Sequence, residues 1–242
     1  MSMEHSEKIT CPDCGVESDF VIWQSINTMI DPETKAKVLS GEIFRFKCPK
    51  CGSETNIMYD CLYHQMEDKL MIQIVHDDKD VPKAAESFDQ ISKGSRIPDF
   101  PPMMSDYTFR IVRDQFKLRE KVNIFNRGLD DRVIELMKII LRFHLMEEKP
   151  ELHVIDLVLI FKDNAPEEFA VRSEGDKWGS FPFIQEMYDK IKADYIDPDD
   201  DGKKIYIVDP EWAIHYLNDH HNKANDTLKK YAKDRTLYIQ KK

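Results

Sequence analysis

Glycine is scarce in this chain, 8 residues in 242, and proline numbers only 12. That composition leaves no collagen-like or flexible low-complexity segment. The patterns G-x-x-x-x-G-K, G-x-S-x-G and H-E-x-x-H are all missing, as is any glycine-rich phosphate loop. Their absence removes the familiar signatures of P-loop nucleotide hydrolysis, α/β-hydrolase chemistry and zinc proteolysis. No nucleophile or base announces itself, and the expectation is a protein without enzymatic activity. No stretch nears ~18 consecutive apolar residues, so no membrane-spanning helix is expected. The residues from Met1 to Thr10 are polar and lack the apolar run of a secretory signal. This points to a cytoplasmic protein whose thiols stay reduced.

Basic charge is also in deficit. The net charge is −10, so the overall field does not steer the chain toward nucleic acid. What the chain does have is 41% hydrophobic and 33% charged residues, enough for one large domain or two small ones.

Cysteine is sparse, five residues in all, but four of them form two copies of one pattern. Cys11-Pro12-Asp13-Cys14-Gly15 and Cys48-Pro49-Lys50-Cys51-Gly52 are C-P-x-C-G hooks. Two such hooks in a reduced protein describe a tetrahedral metal site, with Cys11, Cys14, Cys48 and Cys51 as ligands and a single structural Zn2+ as the ion. A thioredoxin-like redox reading needs a C-x-x-C opening a helix after a buried strand. The segment after Cys51, Gly52-Ser53-Glu54-Thr55-Asn56, is a turn rather than a helix start. A redox site also leaves the duplicate hook unexplained. A closed four-thiolate site offers no open position for water, so its role is to hold a small domain together. Cys61 reads as a buried core residue, and His64 and His76 are not needed as ligands.

Along the chain, residues 9–78 read as a zinc ribbon with a strand-helix insert. Its strands are expected at Asp19–Trp23, Ile43–Phe46, Asn56–Tyr63 and Leu70–Val75. Asp31-Pro32 opens the short inserted helix and Gly41 stops it. The two hooks, the linking Ser25-Ile26-Asn27, Asp31-Pro32 and Leu39-Ser40-Gly41-Glu42-Ile43-Phe44, and the later Leu62-Tyr63-His64 and Leu70-Met71-Ile72 resemble the CpXC domain family. The resemblance covers roughly residues 9–150. It implies metal ligands at Cys11, Cys14, Cys48 and Cys51 and implies no activity, because the family carries none to transfer.

Residues 79–104 read as a linker, interrupted by Pro82, Gly94, Pro98, Pro101 and Pro102. Residues 105–149 read as a helical hairpin, one helix to about Asn126 and a second to about Met146. At about 100° per residue, Arg110, Arg113, Lys117 and Lys121 share one narrow arc of the first helix and form a candidate basic contact face. The second helix is apolar nearly all round, so residues 131–146 are expected either under the C-terminal unit or in a homodimer.

Residues 151–221 read as a small α+β domain in the order β-β-α-β-α, its last strand at Lys204–Val208. Asp197-Pro198-Asp199-Asp200-Asp201-Gly202 matches half of a calcium loop, but Val208 stands where the loop needs glutamate, so it reads as an acidic turn. His215, Asp219, His220 and His221 read as a charged helix end. Residues 222–242 form a basic polar tail. The fold class is therefore α+β: an N-terminal zinc-ribbon-like antiparallel sheet, a central helical hairpin and a C-terminal α+β unit. The expected function is a zinc-binding protein-interaction module, and the alternative is a nucleic-acid-binding zinc ribbon.

Overall fold

Turns, caps and β-branched runs set the element boundaries in the computed structural model, which describes residues 2–93, 104–162, 165–174 and 178–219. The chain divides into two compact units, Met1–Val122 with Lys203–Ile207, and Asn123–Gly202 with Val208–Lys242. The class is α+β, as the sequence implies.

The first unit opens with two antiparallel strands, β1 (Met3–Thr10) and β2 (Glu17–Asn27), whose register closes at Thr10 opposite Glu17. After helix α1 (Glu33–Ser40) comes a second, shorter hairpin, β3 (Arg45–Lys47) and β4 (Glu54–Asn56). Strands β5 (Leu62–Gln65) and β6 (Leu70–Ile74) follow, then helix α2 (Val81–Lys93) and strand β7 (Thr108–Val112). The five-stranded sheet runs β1-β2-β5-β6-β7. It is mixed rather than purely antiparallel, because β2 meets β5 and β6 meets β7 in parallel. Burial explains this: Tyr63, Ile72 and Ile74 are almost wholly inaccessible. Near-continuous apolar strands suit positions covered on both faces.

Two elements here differ from the sequence expectation. The stretch expected as a linker contains α2, which seats Phe88 against Met71, Phe109 and Ile111. Pro82 misleads because it sits in the first helical turn, where a missing N–H costs nothing. The hairpin's first helix begins later than expected, because Thr108-Phe109-Arg110-Ile111-Val112 is a strand. Its β-branched and aromatic residues pair with Leu70–Ile74. Helix α3 (Gln115–Asn126) starts only after Asp114, whose carboxylate accepts from the N–H groups of Phe116 and Lys117 at 2.8 Å.

The second unit contains helix α4 (Asp131–Glu148), the antiparallel sheet β8 (Val154–Lys162), β9 (Ala165–Ser173) and β10 (Trp178–Pro182), then α5 (Gln185–Tyr195) and α6 (Pro210–Asp219). Strands β8 and β9 form the expected hairpin, with Leu157 opposite Val171 and Leu159 opposite Phe169. Strand β10 is a third strand between this hairpin and α5, which the β-β-α-β-α order read from the sequence lacks. Val133, Leu136, Met137 and Phe143 of α4 lie in this unit's core with Phe169 and Tyr188, so the chain itself buries the apolar helix. The expected strand at Lys204–Val208 is irregular. It follows β7 through hydrogen bonds from Phe109 N–H to Lys203 and from Ile111 N–H to Tyr206, 3.3 and 2.7 Å. Gly94, Pro98, Pro101, Pro102, His220, His221 and the tail 222–242 lie outside the described residues.

Candidate metal centre

Each hook sits at the tip of a hairpin, the first between β1 and β2 and the second between β3 and β4. Backbone hydrogen bonds repeat between them. The Gly15 N–H donates to Cys11 O at 3.0 Å and the Gly52 N–H to Cys48 O at 2.9 Å. The Cys11 N–H donates to Val16 O at 2.9 Å and the Cys48 N–H to Ser53 O at 2.8 Å. Gly15 and Gly52 have φ of 69° and 75°, a left-handed conformation that L side chains adopt only with strain.

The two hooks bring the four Sγ atoms within 4.8 Å of one another. Cys11 to Cys51 and Cys14 to Cys48 are each 3.6 Å apart. A tetrahedral ion with metal–sulfur bonds of about 2.3 Å sets its sulfurs about 3.8 Å apart, so the cluster fits such an ion. Among the described residues this is the group of His, Cys, Asp and Glu side chains whose ligand atoms converge in this way.

The packing beneath the cysteines follows the same internal symmetry. Ile9 and Phe46 stand two residues before the first cysteine of their hooks, and Phe20 and Ile57 six residues after the second. All four pack with Cys11 and Cys48 in one apolar cluster. Phe20 meets Phe46 edge-on at 6.1 Å, and the Tyr59 hydroxyl donates to Ile43 O at 2.8 Å. Sequence reading missed this support, although the repeated spacing was the signal. It also missed β1, a mostly exposed strand whose polar residues carry no apolar alternation.

The electrostatics favour a cation. The backbone N–H of Cys51 lowers the Cys48 thiol to about 6, against the opposing effect of burial. A backbone hydrogen bond at Ser53 lowers Cys51, but neighbouring Cys48 and burial outweigh it and push that thiol up to about 12. Four thiolates this close repel one another, and a dication offsets the repulsion while releasing the protons. Cys61 stands apart in the core, where burial and the nearby Asp60 push its thiol up to about 12. His64 lies against the Tyr107 hydroxyl at 3.3 Å, and the His76 ring against Asp60 at 2.8 Å.

The basic face read from Arg110, Arg113, Lys117 and Lys121 does not form as one surface. Arg110 lies on β7, Arg113 follows it, and only Lys117 and Lys121 lie on α3. Arg110 is 2% exposed, its guanidinium donating to Phe109 O and Ile205 O at 2.9 and 2.8 Å. Arg113 donates to His76 O and pairs with Asp78. Lys121 is buried, and Lys117 lies 3.9 Å from Glu120. The helical arc disappears because the strand changes the periodicity from 3.6 to 2. The acidic turn is engaged locally: Asp197 and Asp200 accept from the N–H groups of Asp199 and Gly202, and Arg132 takes the other Asp200 oxygen at 3.0 Å. His215 is exposed, 4.0 Å from Glu211.

A family model described as CpXC protein matches residues 9–138, more than half of the chain. No curated protein and no solved structure matches it.

Proposed function

The chain belongs to the CpXC family, and from that premise we propose that its four-cysteine cluster holds one structural zinc ion and that the protein works as a protein-interaction module. The observation that carries the reading is the convergence of Cys11, Cys14, Cys48 and Cys51 within 4.8 Å at the tips of two matching hairpins. An all-thiolate tetrahedral set suits zinc among the common divalent ions. With four protein ligands the coordination shell is full, so the ion's work is to fix two short hairpins and the surfaces they carry. We assign no catalytic role and place the protein in the cytosol, where its thiols stay reduced. No described helix is long and apolar enough to cross a membrane.

The test is a pull-down from native cells with elemental analysis of the same sample. About one zinc per chain and a co-purifying protein are expected. Cys48→Ser should lose the metal and lower the melting temperature of the N-terminal unit. A Cys48→Ser protein with full metal content and unchanged melting would refute the four-thiolate site. Co-purifying nucleic acid, released steeply as salt rises, would replace the protein partner with the nucleic-acid alternative.

A further inference from the structure

We propose that the outer edge of β1 is a self-pairing surface, on which a second copy of the chain lays its own β1 antiparallel about a two-fold axis at Ser6. This names the partner for the interaction-module reading and rests on that reading.

The first observation is an open edge. Strand β1 ends the five-stranded sheet, and among the described residues all eight of its positions pair with β2 alone. At the opposite end of the sheet, residues 203–206 lie along β7 and take up N–H groups of Phe109 and Ile111. Only Ser25–Asn27 of β2 reach β5, so from Glu17 to Gln24 the hairpin is a two-stranded ribbon among the described residues. Such ribbons are marginal in water without a further neighbour. An open edge of this length is a template for another strand.

The second observation is the charge order along that edge, Met3-Glu4-His5-Ser6-Glu7-Lys8-Ile9. Facing residues in an antiparallel ladder project to the same side of the sheet, so odd positions face odd and even face even. An axis at Ser6 sets Glu4 opposite Lys8 of the second copy, and Lys8 opposite its Glu4. On the other face it sets His5 opposite Glu7, and Met3 opposite Ile9. Moving the axis to His5 sets histidine against histidine and takes Glu4 off Lys8. Moving it to Glu7 sets glutamate against glutamate. One register therefore satisfies every charge, and it is isologous, as a closed two-fold dimer requires. Glu4, Glu7 and Lys8 are exposed; Lys8 lies 3.4 Å from Asp19 and Glu7 lies 3.0 Å from His5 of its own strand, and both are surface ion pairs that solvent screens, so a partner strand displaces them at little cost. Charge on an edge strand commonly guards against pairing by repulsion. This edge carries both signs in mirror order.

The experiment is a sedimentation concentration series on the full, metal-loaded chain. The native protein should dimerise reversibly. Lys8→Glu sets Glu4 against glutamate on both sides of the axis and should raise the dimer dissociation constant about tenfold or more. Adding Glu4→Lys restores opposite charges across the axis and should return the constant toward the native value. Both variants place a glutamate beside Asp19, so loss of the Lys8–Asp19 pair cannot separate them. A native chain that stays monomeric, a Lys8→Glu dimer as tight as the native one, or a double variant no tighter than the single one would overturn the proposal. A monomer that still captures a different protein would overturn it too, while leaving the interaction-module reading in place.

Discussion

At the scale of single residues, Gly52 is where backbone conformation and metal chemistry meet. Its φ of 75° lets the chain turn back so that its own N–H reaches Cys48 O. A Cβ added there meets no atom within 4 Å, so any penalty comes from the backbone conformation and not from a clash. We expect Gly52→Ala to cost about 1–2 kcal/mol, read as a lower melting temperature and weaker metal retention against a chelator. Gly179 has equally open space and no positive φ. Gly179→Ala should therefore stay within about 0.5 kcal/mol of the native protein. Equal effects from the two substitutions would show that hook geometry is not what the glycine protects. The same residue scale explains why the ligands were readable in the sequence: cysteine, proline and glycine in a fixed order describe a turn with little help from the rest of the fold.

At the scale of elements, legibility depended on how far each element declares itself locally. The β8–β9 hairpin was visible because Val154–Phe161 is β-branched and apolar with a turn after it. The start of α4 is legible from the pair Asp130-Asp131, either of which can cap a helix; the structure uses Asp130, whose carboxylate accepts from the Arg132 N–H at 2.9 Å. By contrast, β7 was hidden because Phe109, Ile111 and Val112 also fit a helical face, and only its parallel pairing with β6 decides the matter. The basic stripe fell with that helix, and β1 was hidden because its burial is slight. Asp130 does more than cap: it also accepts from the Arg132 guanidinium, which is 3% exposed and otherwise held by Asp200. Asp130→Ala should remove the cap and leave a buried cation half-paired, costing about 3 kcal/mol. Asp130→Asn keeps an acceptor for the Arg132 N–H and should cost less than half of that. Urea unfolding monitored on both variants checks the ordering, and equal losses would show that the ion pair with Arg132, and not the cap, carries the effect.

At the scale of the whole molecule, the hairpins that carry the four cysteines and the second unit are each stabilised by different means. Among the described residues, the apolar cluster under the four cysteines has three buried members, Cys11, Phe46 and Cys48, and two of those are candidate ligands themselves. Among the described residues the second unit's core has nineteen, drawn from the end of α3, α4, the β8–β9 pair, α5 with the Ile196 that follows it, and α6. A cluster of three cannot offset the conformational entropy of ordering two hairpins, so the proposed zinc ion's binding free energy would act there as folding free energy. The larger core needs no ion. Chelating the metal should therefore abolish hydrogen-exchange protection across Thr10–Ile57 while leaving Val133, Leu136 and Phe169 protected. Thermal unfolding of the metal-free chain should keep the second unit's transition, with its midpoint close to the native value. Restoring zinc should bring protection back to the hooks without altering α4. Simultaneous loss of protection in both units on chelation would mean that the ion sustains the entire chain. Unchanged protection at the hooks would mean that the hairpins fold without it, and the four cysteines would then need a role other than holding residues 9–57 together.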